Sequence, residues 1–196
     1  MRDKYGVLQD VYCYPASDVL VNLLNIRNTK ELAEAEAALS LARYRNYQSA
    51  LTSLEQLTLA HLQHLHYQLF QDIYAWAGQL RTVDISKGTT RFCNCQRIEP
   101  EADKLIALIP ALEQISSKDM MADAMADLYC ELNMLHPFRD GNGRAQRFFF
   151  EEMAFLLGYE ILWPPISQQQ WVNANIAGAN LNLEPLKQIF RQALMF

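Results

Sequence analysis

Residues 136–147 read His-Pro-Phe-Arg-Asp-Gly-Asn-Gly-Arg-Ala-Gln-Arg, and this string dictates the local fold more firmly than any other stretch of the chain. A helical pattern arrives at Leu135, and Pro137, without an N–H to donate, forces the backbone out of it. Gly141, Asn142 and Gly143 then supply positions that tolerate positive φ and allow a ligand close to the backbone. A second helix is expected from about Gly143. The product is a helix–loop–helix. Its first-turn N–H groups lack intrahelical partners and carry the positive end of the helix dipole, which makes a backbone anion site.

The side chains of the string suit the same chemistry. Arg144 and Arg147 stand three apart on one helical face, and guanidinium groups grip phosphate oxygens in bidentate fashion, as β- and γ-phosphates would require. Asp140 precedes the glycines, where a carboxylate beside bound phosphates serves to hold Mg²⁺. His136 is the group with an ordinary pKa near neutrality, hence the natural general base for an attacking hydroxyl. Phe138 has no polar role and is read as a core anchor for the loop.

Around the string the periodicity is helical. Ser17 is expected to cap a helix over 18–26, and residues 30–47 are rich in strong helix formers, with an Ala- and Glu-rich face at 31–43 read as solvated. Thr58 is expected to cap a helix carrying Leu59, Leu62, Leu65, Leu69 and Ile73, with Gly78 as its C-cap. Residues 80–98 break the pattern: Val83, Ile85, Thr89, Thr90 and Phe92 favour strand and Lys87-Gly88 offers a turn, so a hairpin is expected. Helices return at about 100–114, 119–135, 143–157, 167–177 and 184–195. The reading is an all-α domain with one β-hairpin, and no repeat or linker divides residues 1–196.

Bulk properties narrow the function. A net charge of −5 argues against direct nucleic-acid binding, which needs a basic face, so a polyanion must be met by a local cation cluster. Residues 1–6 lack the apolar core of a signal peptide and no apolar run approaches a membrane span, so a cytoplasmic protein is expected. The four cysteines, Cys13, Cys93, Cys95 and Cys130, show neither CxxC nor zinc spacing and are read as reduced thiols. His61 and His64 share a helical face, but no carboxylate lies within one turn, so they are read as packing residues rather than metal ligands.

The string matches HPFx[D/E]GNGRxxR at every specified position, and the chain thereby resembles the Fic (filamentation-induced-by-cAMP) family. Tyr14-Pro15, residues 73–81 (Ile-Tyr-Ala-Trp-Ala-Gly-Gln-Leu-Arg), Phe149-Phe150-Glu151 and Leu183-Glu184-Pro185-Leu186 are also similar to bacterial members. The resemblance implies a Fic-type helical bundle with a flap hairpin over about 84–98. It implies a bacterial protein adenylyltransferase that moves AMP from ATP onto a Tyr, Thr or Ser hydroxyl of a protein docked on the flap. His136 would be the base and Asp140 the Mg²⁺ ligand. The backbone of Gly141, Asn142 and Gly143 would cradle the phosphates, with the Asn142 amide assisting, and Arg144 and Arg147 would meet the β- and γ-phosphates. Thr90, Arg91, Phe92 and Cys93 would line the cleft, and Trp171 and Asn175 the adenine pocket. Family kinases carry a lysine where this chain has Gly143, which favours AMP transfer over phosphoryl transfer. Many members silence themselves with an [S/T]xxxE[G/N] helix, and this sequence contains no Glu-Gly or Glu-Asn pair. The expectation is a toxin whose inhibitory helix comes from a separate small antitoxin, with type II topoisomerase subunits as the implied targets.

Overall fold

The computed structural model describes residues 10–196; the signal-peptide reading of residues 1–6 lies outside them. The elements in chain order are α1 (Thr29–Asn46), α2 (Leu59–Phe70), a hairpin of β1 (Ser86–Lys87) and β2 (Thr90–Arg91), α3 (Ile98–Ile106), α4 (Lys118–Leu135), α5 (Asn142–Leu156), β3 (Glu160–Ile161), α6 (Gln168–Ala179), α7 (Glu184–Ala193) and β4 (Leu194–Met195). The fold is a helical bundle with one flap hairpin, as expected.

Helices α4 and α5 form its centre. Met121, Ala122, Met125, Ala126, Leu128, Tyr129, Leu132 and Leu135 of α4 are buried on most sides, and Phe148, Phe149, Phe150, Met153 and Ala154 of α5 pack beside them. Such all-round burial places the pair inside a shell of other helices. Helix α2 contributes Leu59, Leu62, Leu65 and Leu69 at helical spacing, and α7 contributes Leu186, Ile189, Phe190 and Ala193. Thr58 caps α2 by accepting from the His61 N–H at 3.1 Å, and Asn28 caps α1 by accepting from Lys30 and Glu31.

Helix α1 buries only Leu32 and Ser40. It is attached by polar contacts instead: Arg43 grips Asp72 with two 2.6 Å bonds and the Tyr44 hydroxyl donates to Glu151 at 2.7 Å.

Several local expectations are corrected. Residues 18–26 are not helical, because Ser17 bonds the N–H of Val19 and the buried Asn22 side chain bonds Leu20 and Ile26, closing a loop that pairs Cys13 with Leu20. Gly78 is not the C-cap of α2, which ends eight residues earlier. Its φ of +77° lets residues 71–78 fold back onto α2, where a Cβ would stand 2.9 Å from the Tyr67 Cβ. The stretch at 100–114 divides into α3 and a 3₁₀ segment, Ile109–Gln114, that begins beside Pro110. The last helix stops at Ala193, and Leu194–Met195 pairs with Glu160–Ile161 as a two-stranded ladder.

Candidate active site

Helix α4 ends in a left-handed residue, His136, with φ +44° and ψ +61°. Glycine or asparagine is usual at such a helix end. Here the turn swings the imidazole sideways into the cleft, and Pro137 prevents the helix from resuming. The ring Nδ1 bonds the carbonyl of Asn133 at 3.1 Å, and since a carbonyl only accepts, Nδ1 carries the proton and the basic lone pair belongs to Nε2. The ring stacks on Phe92 of the flap at 3.9 Å and 15°. Burial pushes the imidazole down to about 4, so it is neutral and able to accept a proton at pH 7.

The loop after it is stapled. Asn142 accepts from the N–H of Phe138 and donates to its carbonyl, both at 2.8 Å. The Asn142 amide thus braces the loop and keeps one N–H facing the cleft that it lines. Gly141 adopts φ +76°, and a Cβ there would stand 2.5 Å from the Phe70 ring. The Gly141 N–H donates to the Asp140 carboxylate at 2.7 Å, and Asn142 and Gly143 follow as the first residues of α5. Gly143 needs no positive φ, and a Cβ on it would meet only an Arg147 nitrogen at 3.6 Å.

Two buried groups that sequence reasoning left unassigned hold this loop in place. The His66 ring is fully buried and stacked on Phe138 at 3.9 Å. Its Nδ1 accepts from Gly78 N–H at 2.9 Å, so Nε2 is the protonated nitrogen and donates to the Asp140 carbonyl at 2.9 Å. Desolvation lowers it to about 3, which keeps that neutral tautomer. Arg139, also buried, pairs with Asp10 and ties the loop to the start of the described chain.

Arg81 joins the flap to the same place. With 2% exposure, it donates to the carbonyls of Val83 (2.7 Å), His136 (2.8 Å), Leu135 (3.1 Å) and Cys93. The last carbonyls of α4 lack intrahelical partners, so a buried cation satisfies them and complements the dipole. The flap itself turns through Gly88-Thr89, with Ser86 opposite Arg91 and Lys87 opposite Thr90. Asp84 closes its base by accepting from the Cys95 N–H and the Asn94 amide.

These elements enclose a cleft of about 650 Å³, an ordinary size for a small-molecule site. It is lined by Thr90, Phe92, His136, Asp140, Gly141, Asn142, Gly143, Arg144, Arg147, Trp171 and Asn175, with Lys87, Asn133 and Trp163 added by the structure. Arg91 and Cys93 do not line it. They alternate onto the other side of the flap, beside Glu101, Lys104 and Met134, because extended backbone sends successive side chains to opposite faces. Arg144 reaches toward α1, where it pairs with Glu36, whereas Arg147 lies 5.3 Å from the Trp171 ring. Asp140 is the one carboxylate among the cleft-lining residues described, and no group of three or more His, Cys, Asp or Glu among the described residues could hold a metal unaided. A single carboxylate in a cleft also lined by two arginines suits a cation only where other oxygen ligands, such as those of a phosphate, complete its shell. Asn175 contributes an orphan: its Oδ1 is buried without a hydrogen-bond partner, while its Nδ2 donates to the Trp171 carbonyl.

The Fic/DOC family model matches residues 56–154, which contain α2, the flap, α4 and most of α5. The chain belongs to the Fic/DOC family. It is 41% identical to a probable protein adenylyltransferase Fic of Salmonella typhimurium, over 99% of this chain and 96% of that one. A probable protein adenylyltransferase, y4lH, of Sinorhizobium fredii is 34% identical over 97% of this chain and 99% of its own. Among solved structures, the N-terminal Fic domain of a Bartonella quintana effector with bound ADP superimposes with a TM-score of 0.83 at 27% identity, covering 93% of this chain and 94% of that one. Among the described residues no helix is long and apolar enough to cross a membrane.

Proposed function

We propose that this Fic-family chain is an ATP- and Mg²⁺-dependent protein adenylyltransferase. The observation that carries the reading is a neutral His136, its basic Nε2 in the same cleft as Arg144, Arg147 and a backbone anion cradle. His136 takes the proton of a Tyr, Thr or Ser hydroxyl on the target. That oxygen bonds to the α-phosphorus of ATP, and the bond to pyrophosphate breaks. Arg144 and Arg147 neutralise the β- and γ-phosphates, and the first turn of α5 supplies N–H donors at no reorganisation cost. Asp140 would hold Mg²⁺, which neutralises charge on the phosphates. Trp171 gives adenine an aromatic wall and the orphan Asn175 Oδ1 an acceptor for its amino group. The flap, with Phe92 against the base, offers the target a strand edge beside the reacting atoms.

The finer reading is a toxin held in check by a separate antitoxin that covers Arg147, with type II topoisomerase subunits as targets. Its support is the absence of an [S/T]xxxE[G/N] segment from these residues. ATP labelled at the α-phosphate should transfer label to protein, and His136→Ala should lower that transfer by about 10²-fold or more while ATP still binds. Label entering protein from γ-labelled ATP alone sinks the AMP-transfer reading.

A further inference from the structure

Helix α1 exposes most of its surface, yet Glu36 is largely covered, with 13% of its side chain exposed. Its Oε1 accepts from Nη2 of Arg144, and its Oε2 accepts from the hydroxyl of Tyr74. Tyr74 is 2% exposed and stacks on Trp76 at 4.3 Å and 17°. Burial, and then the neighbouring Glu36 charge, hold its phenol far above the ordinary range, so it remains a donor. The carboxylate is thus fixed from behind by a side chain that cannot move without disturbing the core.

The Arg144 head is fixed on two further sides. Nη1 donates to the Ser40 hydroxyl at 3.4 Å, and the guanidinium lies over the Phe70 ring, 4.6 Å from its centre. That ring is the one a Cβ on Gly141 would strike, so a single buried aromatic seats the cation and shapes the anion loop. Arg144 still lines the cleft.

We propose that Glu36, braced by Tyr74, is a positioning residue that presents the Arg144 guanidinium to the polyphosphate of the nucleotide. This rests on the ATP reading of the cleft. A flexible arginine loses rotamer freedom when it grips an anion, and one already ordered in the free protein does not lose it again on binding. The gain is specific to phosphate and independent of the base.

The test is calorimetric titration of the full chain with ATP and with adenosine, in a His136→Ala background that does not turn ATP over. Glu36→Ala should weaken ATP binding about tenfold, the usual scale for removing an orienting partner, while adenosine affinity stays unchanged. Glu36→Gln, which keeps an acceptor, should fall between, and Tyr74→Phe should act in the same direction more weakly. Arg144→Ala is the comparator. If it weakens ATP binding while Glu36→Ala leaves it unchanged or tightens it, the positioning role is overturned and the ATP reading survives. Tightening would make Glu36 a competitor of phosphate. If Glu36→Ala weakens ATP and adenosine equally, the effect is general loss of structure and the inference fails. If Arg144→Ala leaves ATP binding unchanged, the ATP reading fails with it.

Discussion

The side chains of the site are immobilised by neighbours that have no chemistry of their own. His136 accepts a left-handed backbone, a conformation costing on the order of 1–2 kcal/mol for a residue with a Cβ, and in return its ring reaches the cleft with its tautomer fixed by Asn133. Gly141 and Gly143 look alike in the sequence and differ in the structure. Gly141 is at positive φ with the Phe70 ring 2.5 Å from where a Cβ would be, whereas Gly143 faces open cleft. Gly141→Ala should therefore cost about 2 kcal/mol or more, from backbone strain plus overpacking. Gly143→Ala should leave the unfolding midpoint nearly unchanged. Denaturant melts of both variants check this, and equal losses would refute the assignment of strain to Gly141 alone.

Helix ends and the flap show how short segments acquire a fixed geometry. The hairpin has two residues per strand, too little ladder to stand alone. It is anchored by Arg81, which spans the end of α4 and both arms of the flap, and by Ile85 and Phe92 packed together. Arg81→Ala should leave several buried carbonyls unsatisfied and destabilise the fold by about 3 kcal/mol or more. Arg81→Lys should rescue only part, since an ammonium cannot span carbonyls arranged for a planar fork. Hydrogen exchange at residues 84–95 reports the flap directly. Protection unchanged in Arg81→Ala would show that the hairpin does not depend on it. The element boundaries legible in advance were those with caps and long periodic faces, such as Thr58 before α2. Residues 17–26 misled because the same Ser and Asn side chains that cap helices also close loops, and only the partner they find decides which.

The packed molecule also sets a pH dependence. His66, lowered to about 3, and His136, lowered to about 4, bind protons in the unfolded chain near 6.5 but not in the folded one until far lower pH. The unfolded state therefore holds more protons between those values, and stability falls as pH drops below about 6.5 toward 4. Above 6.5 their contribution is fully present. The slope from His66 approaches about 1.4 kcal/mol per pH unit at its steepest. Urea melts between pH 7.5 and 4.5 should show the decline, and His66→Gln should flatten it. An unchanged slope in that variant would place the proton uptake elsewhere.

That these residues share one cleft could be read from the sequence because residues 136–147 are contiguous: one turn brings histidine, carboxylate, glycines and arginines together whatever surrounds them. Helical faces were legible for the same reason, since their periodicity is local. Glu36, His66, Tyr74 and Arg81 carried no such signal. Each is an ordinary residue tens of positions from its partner, and a polar side chain acquires its role only when burial denies it water and leaves one atom within reach. The opposite facing of Thr90 and Arg91, the staple formed by Asn142 and the β3–β4 pairing likewise depend on neighbours that only the folded chain brings close. Sequence determined the titratable and charged groups of the cleft and their order along the chain, and tertiary packing decided which of them are held and by what.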